Sequence, residues 1–141
     1  MNRKIVLLGY GMQGKACVYD LIKFGEFDEL HVVDCYENFL DDIKLLEDPR
    51  VTGYHIDGTD LTKIRDLLKS TELVIEFFPP HLTLTMVELA IDCNCHAITS
   101  SYINNPAYTE QIGFAKRLEL LDQKARQKGL TILEEFGMDP G

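Results

Sequence analysis

Short apolar runs alternate with longer amphipathic stretches along the whole chain. The runs are rich in Val, Ile and Leu, which is typical of strands buried on both faces of a parallel sheet. They occupy residues 4–8, 30–33, 51–56, 73–77, 97–99 and 130–133. Between them, apolar residues recur at spacings of three and four, which predicts helices. These helices are expected over residues 13–24, 37–47, 61–68, 82–92 and 114–127.

Turn-forming residues support several of these boundaries. Gly25 and Gly129 follow the first and last predicted helices, where glycine commonly ends a helix. Asp60 is placed to cap the third helix. The residues of that helix expected to face the core are Leu61, Ile64, Leu67 and Leu68. Residues 104–112 fit neither pattern and are interpreted as a loop with a helical turn close to the site.

Alternating strands and helices predict an α/β fold with a parallel sheet and helices on both faces. Six strands match the doubly wound Rossmann arrangement, for which we expect the strand order 3-2-1-4-5-6. The length of 141 residues, without a repeat or an internal linker, indicates a single domain. Ligands of such folds bind outside the carboxyl ends of the strands, so the residues that follow each strand are the candidates for function.

Residues 9–14, with the sequence GYGMQG, form a glycine loop between the first strand and the first helix. Gly9 permits the tight turn, Gly11 lets the backbone approach a pyrophosphate, and Gly14 lets helix and strand pack closely. The helix N-terminus that follows offers free N–H groups and a partial positive charge to phosphates. We therefore predict that a dinucleotide binds at this loop.

An acid at the end of the second strand agrees with this site. Asp34 lies twenty residues after Gly14, where it can accept hydrogen bonds from the adenosine ribose hydroxyls. A carboxylate there repels the 2′-phosphate of NADP, and residues 35–43 contain no Lys or Arg that could bind that phosphate. The sequence therefore favours NAD over NADP as the cofactor.

The remaining candidates follow the other strands. The further residues expected to contact the cofactor are Met12, Gln13, Cys35, Asp57, Phe78, Pro79, Pro80, Ser100 and Ser101. Those expected to face the substrate are Ser101, Tyr102, Asp139 and Gly141. Alternatives stay open, because an acid after a strand is as often a turn residue, a Pro pair often only begins a helix, and Ser residues often form a polar loop.

Two further ionisable residues lie near the fourth strand. Glu76 falls within a strand that should be buried on both faces, so burial is expected to raise its pKa unless it is paired. Pairing with a neighbouring loop is favoured over a catalytic role for this acid. His81 is interpreted as a solvated residue near a helix start, because the sequence fixes no partner acid for it.

Composition argues against several function classes. The formal net charge of −9 disfavours binding to nucleic acid or to an anionic membrane surface. No stretch approaches the roughly 20 apolar residues of a membrane span. The first strand follows residue 3 directly and leaves no room for a signal peptide, so a cytoplasmic location is expected. The cysteines, at positions 17, 35, 93 and 95, fit no common zinc spacing, and no metal site is predicted.

Four segments together resemble one known family. Residues 9–16 (GYGMQGKA), 78–80 (FPP), 99–102 (TSSY) and 135–141 (EFGMDPG), in this order, resemble the N-terminal domain of saccharopine dehydrogenase-like proteins. Relatives of that family include lysine 6-dehydrogenase and carboxynorspermidine dehydrogenase. The resemblance implies an NAD(P)-dependent oxidoreductase that acts on a C–N bond of an amino acid or polyamine. It also implies a substrate-binding domain after residue 141, and a homo-oligomer is expected for the full-length protein. These residues alone supply one wall of a site and are expected to bind a dinucleotide without turnover.

The sequence departs from the family pattern at Glu76 and in residues 104–117. A second hypothesis is a stand-alone nucleotide-sensing domain of the kind that regulates potassium channels, which has a similar length, glycine loop and strand-end acid. The FPP segment and the final DPG argue against it, because a sensor needs neither. A short-chain reductase is not supported, since Tyr102 is followed four residues later by Pro106 rather than by Lys.

Overall fold

Six strands and five helices alternate along residues 2–103 and 113–136, the parts of the chain that the computed structural model describes. The strands are β1 (Lys4–Leu8), β2 (Glu29–Asp34), β3 (Val51–His55), β4 (Leu73–Glu76), β5 (His96–Thr99) and β6 (Ile132–Leu133). The helices are α1 (Met12–Phe24), α2 (Phe39–Leu45), α3 (Leu61–Leu68), α4 (Pro80–Asp92) and α5 (Phe114–Lys128). Every predicted element is present, and its bounds agree with the prediction to within two residues.

All six strands are parallel, in the order β3-β2-β1-β4-β5-β6. This confirms the predicted doubly wound Rossmann fold and its strand order. The chain winds away from the sheet centre in opposite directions from β1 and from β4, so a crevice for a ligand opens above these two strands. In the sheet register, Leu8 at the end of β1 lies between Val33 of β2 and Glu76 of β4.

The sheet is buried on both faces. Leu7 and Leu8 of β1 are both 0 % exposed. Leu7 packs with Val18 in the cluster formed by α1 and α2, and Leu8 packs with Ile64 and Met86 in the cluster formed by α3 and α4. A strand buried in this way has no solvent face, and therefore its sequence is a continuous apolar run.

Two details differ from the sequence prediction. Helix α4 begins at Pro80, two residues earlier than expected, because the fixed φ and missing N–H of proline suit a first helical turn. The expectation that Leu61 faces the core is wrong, since it is 39 % exposed at the start of α3.

Residues 104–112, interpreted as a loop, lie outside the described residues. Within the described part, no helix has the length and apolar character needed to cross a bilayer.

Two glycines allow α1 to pack directly on the sheet. Gly9 has a φ of 100°, and a Cβ there would lie 2.9 Å from the carbonyl oxygen of Phe77. A Cβ on Gly14 would overlap the carbonyl oxygen of Gly9. At Gly11, by contrast, an added Cβ would meet no described atom within 4 Å. The fold therefore requires glycine at positions 9 and 14, whereas position 11 is free of that requirement.

Gly14→Ala is expected to lower the free energy of unfolding by about 1 to 3 kcal/mol, because the added methyl group forces α1 away from the glycine loop. The matched control is Gly11→Ala in the same loop, which should cost less than about 1 kcal/mol. Equilibrium urea denaturation followed by circular dichroism measures both values. Equal losses for the two variants would contradict a special role for the contact between Gly14 and Gly9.

Candidate functional site

The glycine loop is joined to the carboxyl ends of both neighbouring strands. The amide of Gly9 donates to the carbonyl of Val33 at 2.8 Å, and the amide of Phe77 donates to the carbonyl of Leu8 at 2.7 Å. These bonds continue the ladder of the sheet past the ends of the strands. The loop therefore has a fixed position at the centre of the crevice.

The Asp34 carboxylate holds the loop from the side of β2. One of its oxygens accepts the backbone N–H of Tyr10 at 2.7 Å, and the other accepts the N–H of Tyr36 at 2.9 Å. A carboxylate has about four acceptor positions, so two remain for other donors. Asp34 thus has a structural role that the sequence did not indicate, and its contact with the ribose stays a prediction.

The N-terminus of α1 fits a bound phosphate group. Its N-cap residue is Gly11, and no side chain caps the first turn. Met12 begins the helix and is 89 % exposed. Free N–H groups at a helix start attract anions, and the space beside Gly11 allows close approach to the backbone. The residues present therefore fit a pyrophosphate, which is the group that the glycine pattern predicts.

A cavity of about 210 Å³ lies beside Asp34, where the adenosine ribose would be expected. Its walls include Tyr10, Lys15, Tyr36 and Asp42. The Nζ atom of Lys15 lies 5.8 Å from the ring centroid of Tyr10 and 3.8 Å from Oδ2 of Asp42. Lys15 is a cation that was not predicted at this cavity, because it lies on α1 rather than in the segment after β2. Its spacing of four residues from Gly11, one turn along α1, is the signal that could have identified it.

The candidates after β2 and β3 form ordered turns. Asp57 accepts hydrogen bonds from the N–H and the hydroxyl of Thr59, at 2.8 and 2.6 Å, and these bonds lower its pKa. This is the turn role that the sequence left open for Asp57. Cys35 is exposed, and its carbonyl lies 3.0 Å from Nε2 of His55. Partial desolvation of the Cys35 thiol and the negative charge of the neighbouring Asp34 raise its pKa, so Cys35 is a poor nucleophile.

The candidates after β4 are divided between core and surface. Phe78 is 8 % exposed and packs in the core cluster under α3 and α4, while Pro79 and Pro80 are exposed at the start of α4. Of these three candidates, the two prolines are therefore the ones whose side chains a ligand could reach. His81 is also exposed, which agrees with its interpretation as a solvated residue.

The candidates after β5 form a tight turn. Ser100 and Ser101 are buried, and Tyr102 is 41 % exposed. The hydroxyl of Thr99 donates to the carbonyl of Ser101 at 2.6 Å and accepts its N–H at 3.1 Å. The remaining predicted substrate-facing residues, Asp139 and Gly141, lie outside the described residues.

Glu76 occupies the last position of β4 and is 1 % exposed. The Thr83 hydroxyl donates to its Oε1 at 3.4 Å, whereas Oε2 has no hydrogen-bond partner among the described residues. Burial raises the pKa of Glu76 to about 7, and hydrogen bonding from Phe78 and Thr83 offsets only part of this rise. The predicted rise in pKa is therefore confirmed, and hydrogen bonding to Glu76 comes from Phe78 in the following loop and from Thr83 on α4.

The cysteine after the end of α4 packs as a small apolar group. Cys95 is 0 % exposed, and burial raises the pKa of its thiol to about 12. Over residues 2–103 and 113–136, no group of three or more His, Cys, Asp or Glu side chains could hold a metal ion.

Comparison with known families identifies this arrangement. A family model described as "Saccharopine dehydrogenase NADP binding domain" matches residues 5–133. The chain belongs to this family. It is therefore an NAD(P)-binding domain of the saccharopine dehydrogenase-like oxidoreductases, as the four sequence segments indicated.

Individual relatives agree with this assignment. The chain is 36 % identical over 90 residues to saccharopine dehydrogenase (NADP+, L-glutamate-forming) from Pyricularia oryzae, covering 64 % of this chain and 18 % of that protein. It is 25 % identical over 141 residues to the Saccharomyces cerevisiae protein of the same name, covering 100 % of this chain and 28 % of that one. The chain thus spans less than a third of the length of these curated relatives.

Solved structures share the fold. Apo saccharopine dehydrogenase (L-Glu forming) from Saccharomyces cerevisiae matches with a TM-score of 0.72 and 24 % identity, over 99 % of this chain and 28 % of that one. Apo scyllo-inositol dehydrogenase from Lactobacillus casei matches with a TM-score of 0.69 and 16 % identity, over 96 % of this chain and 37 % of that one. At these identities the likeness supports the fold alone.

Glu76→Gln is expected to remove a pH-dependent loss of stability. The pKa of Glu76 rises from an ordinary 4.5 to about 7 on folding, so the folded state binds this proton more tightly. The contribution of Glu76 to stability should therefore be fully present below about pH 4.5, and about 3 kcal/mol should be lost as the pH rises from there through about 7. The glutamine variant has no proton to lose. Urea denaturation across this pH range measures the free energy of unfolding of both proteins. A difference between the two free energies that stayed constant with pH would contradict the expectation.

Proposed function

We propose that this domain binds NAD in preference to NADP for an oxidoreductase that acts on a C–N bond of an amino acid or polyamine. The observation that carries the proposal is the uncapped start of α1, where Gly11 leaves open space and Asp34 fixes the loop. The nicotinamide cofactor supplies hydride transfer, and the protein supplies binding and orientation.

The residues of the loop have separate parts in that binding. The first amides of α1 donate to the pyrophosphate, and the backbone at Gly11 lets the phosphates approach. Asp34 accepts from the adenosine ribose with the acceptor positions that Tyr10 and Tyr36 leave free. Tyr36, which is 71 % exposed, offers an aromatic ring at the adenosine end.

The preference for NAD follows from the charges around the cavity beside Asp34. Lys15 is a cation within reach of this cavity, but Asp42 lies 3.8 Å from it and neutralises part of its charge. Two carboxylates and one ammonium group leave the cavity with a net negative charge, which disfavours a 2′-phosphate. The names of the two fungal relatives specify NADP for those proteins. Lys15 is the residue through which this domain would tolerate NADP at lower affinity.

A substrate site requires a further wall. A hydride donor must be held close to its acceptor carbon in a site that excludes water. The crevice above β1 and β4 supplies one side of such a site through the glycine loop and the Pro79–Pro80 segment. The yeast relative is more than three times as long as this chain, which supports a separate substrate-binding domain as the source of the other wall.

Gly11→Val is expected to abolish dinucleotide binding while leaving the domain folded. The branched side chain would fill the space that the pyrophosphate requires, and no described atom competes for that space in the free protein. Calorimetric titration with NAD measures binding, and circular dichroism of the same sample measures folding. NAD binding by this variant at wild-type affinity would contradict the proposed site, as would failure of the folded wild type to bind NAD.

NAD is expected to bind more tightly than NADP, and Asp34→Asn should reduce this preference by about tenfold, because it removes the charge that repels the 2′-phosphate. The matched control is Asp41→Asn, which removes an exposed acid of α2 that does not line the cavity. Calorimetric titration of the wild type and each variant with both cofactors gives the ratio of NAD affinity to NADP affinity for each protein. Tighter binding of NADP by the wild type would contradict the charge argument.

A further inference from the structure

Glu76 is an isolated ionisable group in the layer directly beneath the crevice. Its Cα pairs with that of Leu8 on one side and with that of Thr99 on the other. Leu8 is the residue before the glycine loop, and Phe77, the residue after Glu76, lies against Gly9. The backbone that carries this acid is therefore in direct contact with the loop that fits a pyrophosphate.

The surroundings of the Glu76 carboxyl group are uncharged. The residues that face this carboxyl group from the packed elements are Leu8 of β1, Thr99 of β5, Thr83 of α4 and Phe78. None of these groups can balance a negative charge with a positive one.

Charged side chains on the adjacent elements are directed elsewhere. His81 of α4 is exposed, and Glu88 of the same helix pairs with Arg117. Asp34 accepts hydrogen bonds from Tyr10 of the glycine loop and from Tyr36, and Asp57 accepts hydrogen bonds within its own turn. One carboxyl oxygen of Glu76 thus remains buried without a partner among the described residues. Ionisation of this group would place an unpaired charge in the core.

We propose that Glu76 is a positioning residue that couples dinucleotide binding to the uptake of one proton, so that the site binds its cofactor tightly when Glu76 is neutral and weakly when it is ionised. The inference rests on the proposed function, because it requires that a dinucleotide binds at the glycine loop.

Electrostatics supplies the coupling. A dinucleotide brings the negative charges of its pyrophosphate to the glycine loop, and a second negative charge on Glu76 would repel them. The intervening β1 and β4 backbone is buried, so water and salt screen this repulsion only weakly. Binding therefore favours the neutral acid, and the proton that it requires comes from the solvent and is held on the Glu76 carboxyl group.

The expected change of cofactor affinity with pH follows from the ionisation of Glu76 in the free protein. The pKa of Glu76 lies near 7, so this group is partly ionised at neutral pH. A bound anion raises that pKa further. Affinity should thus be constant well below about pH 7 and should fall by roughly three- to tenfold as the pH rises above it.

The test compares the whole chain with Glu76→Gln by calorimetric titration with NAD from about pH 6 to about pH 8.5. At neutral pH, titrations in two buffers of different ionisation enthalpy count the protons taken up on binding. We expect weaker binding at high pH and proton uptake by the wild type, and constant affinity without proton uptake for Glu76→Gln. The matched control is His81→Gln, which removes the imidazole of α4 and should keep the wild-type profile.

Thr83→Val provides a second variant that leaves the acid in place. Loss of the hydroxyl donor removes one group that stabilises the carboxylate, so the midpoint of the affinity profile should move to higher pH. A wild type that binds NAD with the same affinity and no proton uptake across the range would overturn the inference but leave the proposed function intact. A pH-dependent affinity that persists in Glu76→Gln would also overturn it. A wild type that binds no NAD at any pH would overturn both.

Discussion

The close contact between α1 and the end of β1 is the constraint on which the rest of the site depends. Gly14 of the helix packs on the carbonyl of Gly9, and Gly9 packs on Phe77 after β4. Any side chain at these two positions would separate the helix from the sheet. Because the contact holds, α1 begins beside the point where the sheet changes winding direction, with no side-chain cap on its first turn. A general packing requirement thus positions the helix start at which we propose that a pyrophosphate binds.

The fold was predictable because burial on both faces gives every strand an apolar sequence, and because alternation with helices restricts the topology to few arrangements. The glycine loop was predictable because its glycines meet local requirements, namely the tight turn and the close packing of helix on strand. The contacts of Asp42 and Thr83 could not be predicted, since each depends on which helix faces which strand end, whereas the spacing of Lys15 from Gly11 was a usable signal. The exposure of Leu61 shows that apolar periodicity does not predict burial at every position. A residue in the first turn can lie on the apolar side of a helix and still be beyond the edge of the core.

Glu76 is the position where the sequence departs most clearly from the rules of its own fold. A central parallel strand accommodates Val or Ile at low cost, whereas a buried carboxyl group loses hydration that hydrogen bonding from Thr83 and Phe78 replaces only in part. Its proton is retained to about neutral pH because the neutral acid costs less to bury than the carboxylate. Such a conflict between a residue and its environment is more common at functional positions than elsewhere.

Asp34 illustrates how one carboxylate can serve structure and selectivity together. Its two backbone hydrogen bonds fix the position of Tyr10 and therefore the shape of the glycine loop. The same bonds orient the carboxylate and hold its negative charge at the wall of the cavity. Lys15 opposes that charge from the helix side, but it is more than half exposed and shared with Asp42. The acid is thus held by two hydrogen bonds, whereas the cation is largely exposed and screened, so the proposed preference for NAD depends more on the acid than on the cation.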